Sequence, residues 1–194
     1  MTKTQIIMAR IQKILAIILF SSVVLLSSCK PEDDGISRRY PCRFQFHADL
    51  HPTSLIVTAC KSSGCYVYIY TKFDNRGVRH VYAQMNNNRT PTEDILITTE
   101  KEKSYTSYLL GANNEIGLIV GLTNFNGLVA YDRTCANCAE REPLAWASDG
   151  WTKVSCTKCK RVYDLETGAL LSGSGDGMLR YGCGFNGQLL TVGN

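Results

Sequence analysis

Histidine is scarce. Three occur in 194 residues, His47, His51 and His80, and all lie in the first half of the chain. Imidazole is therefore missing from the second half, where a metal site would otherwise draw on it. A sustained helical period with start and stop signals is also missing, which argues against a helical architecture. No apolar run after the first 28 residues is long enough to cross a bilayer, since a transmembrane helix needs roughly 20 such residues. Excess charge is absent too. The formal charge is +4, and removal of residues 1–28 takes Lys3, Arg10 and Lys13 with it and leaves +1. A near-neutral domain gives no footprint for nucleic acid.

The first 28 residues do carry a pattern. Lys3, Arg10 and Lys13 precede an apolar stretch from Ile14 to Leu26, and two serines follow. This is the layout of a secretory signal. It ends in LLSSC, which resembles the lipobox of bacterial lipoproteins and implies that Cys29 is the acylated N-terminus, with palmitate-type chains holding the protein to a membrane. Residues 29–39 then read as a tether, because KPEDDGISR holds Pro31, Gly35 and three acids and almost nothing apolar. The acidic run resembles the signal that carries some Bacteroidetes lipoproteins to the outer face of the outer membrane. Residues 40–194 are enough for one domain with a sizeable core.

Within that domain, short β-branched and aromatic runs alternate with Gly, Asn and Asp. LIVT (55–58), CYVYIYT (65–71), VRHVYAQ (78–84), DILITT (94–99), IGLIVGLT (116–123) and GLVAYD (127–132) read as strands. FDNRG (73–77) and NFNG (124–127) read as hairpin turns, and MNNNRTPTE (85–93) as an exposed loop. The expected class is all-β, an antiparallel sandwich or small barrel.

Nine cysteines contrast with the three histidines. Four fall in two identical steps, Cys135-x-x-Cys138 and Cys156-x-x-Cys159, with 17 residues between them. Each step puts two sulfurs on one tight turn whose amides can donate to them, and two such turns complete a tetrahedron. The spacing reads as a zinc site. Two disulfides are the rival arrangement in an exported protein. A C-x-x-C ring is small and more often redox-active than structural, which favours metal. Cys42, Cys60, Cys65 and Cys183 remain. They are even in number, and the turn KSSG can bring Cys60 to Cys65 as a disulfide, although each suits a small buried position equally well.

The run SCTKCKRVYDLETGALLSGSGDGMLRYGCGFNGQLLTVGN resembles the second half of a Rieske domain. The features that carry the likeness are the box Cys156 to Cys159, the pair Tyr163 and Asp164, and the turn Asp164 to Gly168. The small-residue loop Gly173 to Gly177, the strand Met178 to Tyr181 and the final strand Leu189 to Val192 complete it. GLIVGLTNFNGLVAYDRTC resembles the strand pair that delivers the first box, with Ala130, Tyr131 and Asp132 leading into Cys135. The likeness spans residues 116–194 well and 40–115 loosely, and it implies a Rieske-like fold for residues 40–194 with a metal-binding subdomain at about 133–177. A Rieske centre, however, takes two histidines on one iron. Here Cys159 stands in one of those places and Asn137 in the other, with Cys138 one residue beyond. Lys160 and Arg161 replace the Gly-Ser that usually follows the second box, and the covering loop lacks its proline.

Four thiolates on Zn²⁺ leave a net charge of minus two in formal count, and Lys153, Lys158, Lys160 and Arg161 lie close in sequence to screen it. Zinc is the favoured ion. An all-cysteine [2Fe–2S] cluster or a single iron fits the same ligands. The corresponding functions are a non-enzymatic binding or assembly module, an electron carrier, and, if the steps are thiol pairs, a thiol-disulfide oxidoreductase.

Other chemistry has less to stand on. His47 and His51 are four apart, but Pro52 opposes the helix that would align them. Asp94, Glu100 and Glu102 show no acid/base partner in the sequence. Trp146 and Trp151 are expected beneath the cysteine turns as a small apolar core.

Overall fold

The structure is a computed structural model and describes residues 35–87, 89–105, 108–148 and 151–194. The expected signal segment, Cys29 and the start of the tether lie outside the described residues.

Alternation along the strands divides the buried residues between two cores. In β2 (Cys65–Phe73), Val67 and Ile69 join one cluster and Tyr66 and Tyr68 the other. In β6 (Leu118–Leu122), Leu118 and Val120 part from Ile119 in the same way. In β7 (Leu128–Asp132), Ala130 parts from Val129 and Tyr131. Successive side chains on a strand face opposite ways, so a strand buried on both faces feeds two cores at once.

These strands are the middle of a nine-stranded antiparallel sheet. Its other members are β1 (Cys42–His47), β3 (Arg79–Met85), β4 (Glu93–Leu96), β5 (Leu109–Leu110), β12 (Arg180–Phe185) and β13 (Leu189–Gly193). The order is β4-β3-β2-β6-β7-β12-β13-β1-β5. Both β4 and β5 are edges, so among the described residues the sheet is open and no barrel closes. A second sheet holds β8 (Leu144–Trp146), β9 (Lys153–Cys156), β10 (Val162–Asp164) and β11 (Leu170–Ser172), in the order β11-β10-β9-β8. Val154, Tyr163 and Leu165 from this small sheet and its turn share the second cluster with Tyr66, Tyr68 and Tyr131. Each such large side chain removed from water contributes roughly 2 kcal/mol.

The all-β expectation holds with one correction. LIVT is not a strand: Leu55–Lys61 is a helix, α1. Ser54 caps it, its Oγ accepting from the Ile56 amide at 3.1 Å. Ile56, Val57, Ala59 and Cys60 are its buried residues, at helical spacing. The cap outweighs the β propensity of Ile-Val-Thr. A second, short helix, α2 (Glu100–Lys103), starts in the capping box Thr99–Glu102.

Both expected hairpins form. Asp74 closes the first, accepting through Oδ1 from the amides of Arg76 and Val78, and residues 124–127 turn β6 into β7. In the segment expected as an exposed loop, Met85 and Asn86 are buried. Asn86 Nδ2 donates to the carbonyls of Gly64 and Trp151, and its Oδ1 accepts from the Tyr66 amide.

Of the two roles open to Cys60 and Cys65, the bridge between them is not formed; both are free thiols. Cys60 faces the core from α1, and the turn is closed by backbone bonds instead, Ser62 N to Thr58 O and Cys65 N to Ser62 O. Cys42 and Cys183 are also free. Burial pushes the thiols of Cys42 and Cys60 up to about 12 and that of Cys183 to about 11, so all three are neutral packing groups.

A candidate four-thiolate metal centre

Register brings the two cysteine turns to one end of the small sheet. The first turn leaves β7, is closed by Cys135 N to Glu142 O and by the bridge of Thr134 with Pro143, and runs into β8. Leu144, the first residue of β8, pairs with Cys156, the last of β9. There the second turn begins, and Cys156 N to Arg161 O closes it. The first loop therefore ends, and the second begins, at the same rung of the ladder.

The sulfurs converge. All four Sγ atoms lie within 4.8 Å of one another. Cys135 Sγ is 3.6 Å from Cys159 Sγ, and Cys138 Sγ is 3.8 Å from Cys156 Sγ. A regular tetrahedron with metal–sulfur bonds of about 2.3 Å has edges of about 3.8 Å. The group can hold a metal ion, and the donor set fits zinc or iron. Both of these approaches run between the turns, so the two C-x-x-C steps face a shared centre.

Neighbouring groups aim donors at the sulfurs. In the second turn the amides of Lys158 and Cys159 reach Cys156, and the Arg161 amide and guanidinium reach Cys159. Lys160 adopts φ 60° there, the left-handed conformation that lets the chain double back. On the other side Tyr163 Oη lies 3.2 Å from Cys135 Sγ. Asn137 Nδ2 donates to that oxygen at 2.9 Å, which leaves the phenol hydrogen for the sulfur. Asn137 in turn binds the covering loop through Asp176, donating to its carbonyl and accepting from its amide, each at 2.8 Å. Burial raises Cys138 to about 12, with the surrounding thiols adding to the shift. Burial acts on Cys159 as well, but the Arg161 donors overcome it and bring that thiol down to about 6.

Of the four cations expected as a screen, Arg161 alone among Lys158, Lys160 and Arg161 contacts a sulfur. Lys158 pairs with Glu140 and, at 3.7 Å, with Glu142. Lys160 Nζ donates to the Thr157 carbonyl. Cys135 and Cys156 are buried, whereas Cys138 and Cys159 border a shallow groove of about 320 Å³ with Asn137, Glu140 and Lys158.

Asp132 fixes the entry to the first turn. Its carboxylate is fully buried and accepts from the Thr134 amide and hydroxyl, the Ala112 amide and Tyr181 Oη. Trp146 stacks on Tyr68 with ring centroids 3.5 Å apart, and the Arg133 guanidinium lies 3.9 Å from the Tyr68 centroid. Trp151, expected in the same core, is instead 60 % exposed. Sequence reasoning missed Tyr163 and Arg161 as donors to sulfur and Asn137 as the group that orients Tyr163, although their positions inside and just after the boxes were a signal.

The histidines take no part. His51 Nε2 and Glu102 Oε1 are 2.7 Å apart, His80 Nδ1 and Asp94 Oδ1 likewise, and His47 neighbours Asp49 at 3.6 Å. Glu102 and Asp94 thus have partners that the sequence did not disclose. Among the described residues no helix is long and apolar enough to cross a membrane.

Comparison with known proteins returned no match: no family model, no curated protein and no solved structure matches the chain. Fold and site define an antiparallel β protein with a four-cysteine group able to bind a metal.

Proposed function

We propose that the protein is an exported, lipid-anchored module in which one zinc ion, held by Cys135, Cys138, Cys156 and Cys159, ties two loops into a rigid surface for binding or assembly. The observation that carries this is the mutual approach of all four sulfurs within 4.8 Å. Two irons side by side would hold the thiolate pairs apart, so the spacing favours a single ion over a [2Fe–2S] cluster. Four protein ligands leave no open position for water or substrate, which makes the role structural. A thiol-disulfide exchanger works through the two sulfurs of one step, whereas here each step also has a sulfur close to one of the other step, Cys135 to Cys159 and Cys138 to Cys156.

The reading includes a Rieske-like fold for residues 40–194, with its metal-binding subdomain at about 133–177. The second box sits between β9 and β10, and Asp164 Oδ2 accepts from the amide and hydroxyl of Thr167 in the turn that follows. The anchoring through Cys29 and the outer-membrane location rest on the sequence pattern of residues 1–38.

Elemental analysis of protein purified without added metal tests the reading. One zinc per chain and a colourless sample are expected. A single iron is the second reading, favoured by the donors from Tyr163, Arg161 and the turn amides, since hydrogen bonds to sulfur tune an iron potential. Iron with a visible charge-transfer band that bleaches with dithionite would establish that reading in place of zinc. For the anchor, wild-type protein should partition into detergent and Cys29→Ala should remain in the aqueous phase.

A further inference from the structure

A second site lies away from the cysteines, at the β2–β3 end of the large sheet. Arg79 begins β3 opposite Phe73. Its guanidinium carbon lies 4.4 Å from the ring centroid of Phe73 and 4.4 Å from that of Tyr108. Two rings stacked on the guanidinium leave its in-plane N–H edge as the route for an acceptor. Among the described residues that edge meets one protein acceptor, Thr71 Oγ1 at a long 3.4 Å, and no carboxylate. The nearby acids are committed elsewhere. Glu102 gives one oxygen to His51 and the other to Thr99, and Glu100 pairs with Lys103.

Arg79 lines a groove, with Glu102 and Lys103 also in its wall. A cavity of about 410 Å³ opens beside Arg79, lined among others by Phe73, Ile97, Tyr105 and Tyr108. That volume falls in the range of about 300–1,000 Å³ common to small-molecule sites, which pair apolar walls with a few fixed polar groups. Phe73 is 62 % exposed at the mouth, so the face of its ring turned away from Arg79 is open to a ligand. Burial also lowers the Arg79 pKa, as expected of a cation that has lost water without gaining an anion.

We propose that this groove binds a small organic carboxylate carried on a ring, the carboxylate taking the Arg79 N–H edge in the two-pronged geometry that guanidinium favours and the ring lying against Tyr105, Tyr108 and Phe73. The site is independent of the metal centre. It would give a binding module a ligand as well as a scaffold.

The test is titration of the metal-loaded protein with benzoate and with glucuronate, read by calorimetry and by the Arg79 Nε–H resonance, with benzamide as the neutral counterpart of benzoate. Saturable binding of at least one acid, near a Kd of about 1 mM or tighter, is expected, together with a shifted Arg79 resonance. Benzamide and the Arg79→Gln variant should each weaken it at least about tenfold. An aromatic acid is the class if benzoate alone binds, and a sugar acid if glucuronate alone does. Failure of both acids, or equal binding to Arg79→Gln, overturns the proposal, and so does equal binding of benzamide. Should Arg79→Gln not fold, Phe73→Ala at the exposed mouth serves instead, with a loss of affinity expected and unchanged affinity counting against the site.

Discussion

Tyr163 Oη stands 3.2 Å from Cys135 Sγ and joins the two cysteine turns through a hydrogen bond. Tyr163 belongs to β10, just beyond the second turn, while Cys135 opens the first. The phenol thereby couples the loops without being a ligand. Its orientation is set by Asn137, whose amide nitrogen also holds the Asp176 carbonyl of the covering loop.

Tyr163→Phe should keep the fold and weaken the metal. Groups that hydrogen-bond to ligands typically account for about 10- to 100-fold in metal affinity. Competition with a chromophoric chelator should show a loss of about tenfold or more. Asn137 retains its bond to Asp176, so the stability cost should be only about 1 kcal/mol. Unchanged metal affinity would mean that the phenol merely fills space.

Metal removal should unfasten the small sheet before the large one. The small sheet consists of strands of three or four residues, and short ladders are marginal without a further tie. Binding free energy at such a site is folding free energy. After chelation, limited proteolysis should cut between residues 133 and 177 while β2, β3 and β6 stay protected. Trp146, stacked on Tyr68, should gain solvent exposure in fluorescence quenching, and Trp151, already exposed, should change little. The four thiols should become alkylatable in the same step.

How much of this could be read from the residues follows from how local each signal was. The cysteine turns were legible because the ligand spacing is a property of two four-residue steps. β2 was legible because CYVYIYT is buried on both faces and needs no partner to look like a strand. The helix at Leu55–Lys61 was not, because LIVT has strand propensity and the deciding groups, the Ser54 cap and the core beneath Ile56 and Cys60, are a local cap and a distant surface. Pairing of β1 with β13 joins residues at the two ends of the domain, and no local pattern reports such a partner. The partners of His51, His80 and Asp132 are likewise set by tertiary packing. Trp151 failed as a core residue because its backbone carbonyl, not its ring, is what Asn86 holds.

Asp132→Asn should be far more costly than a surface change. The buried carboxylate serves four donors, and an asparagine would turn an N–H₂ toward some of them. A loss of roughly 3 kcal/mol is expected from the unmet donors. Urea denaturation at fixed metal occupancy measures it. The change should also raise the rate of metal loss, because Thr134, the residue that Asp132 holds through two bonds, immediately precedes Cys135.

Glu102 supplies a pH test that leaves the cysteines untouched. Its carboxylate is 2 % exposed, and burial alone would raise its pKa. The hydrogen bonds from Thr99 and His51 outweigh burial and hold it below its ordinary 4.5. A carboxyl lowered by folding adds stability that is complete above the unfolded value and disappears as pH falls through the folded one. The wild type should therefore lose stability as pH drops below 4.5, more steeply than Glu102→Gln, whose neutral amide does not titrate. At neutral pH the variant should be less stable by about 2 kcal/mol, since it places a donor group where two acceptor oxygens serve the Thr99 cap and His51. Parallel urea curves for the two proteins, recorded from pH 7 down to pH 3, decide the matter: a stability difference that shrinks on acidification supports the ion's role, and one that stays constant assigns Glu102 a packing role instead.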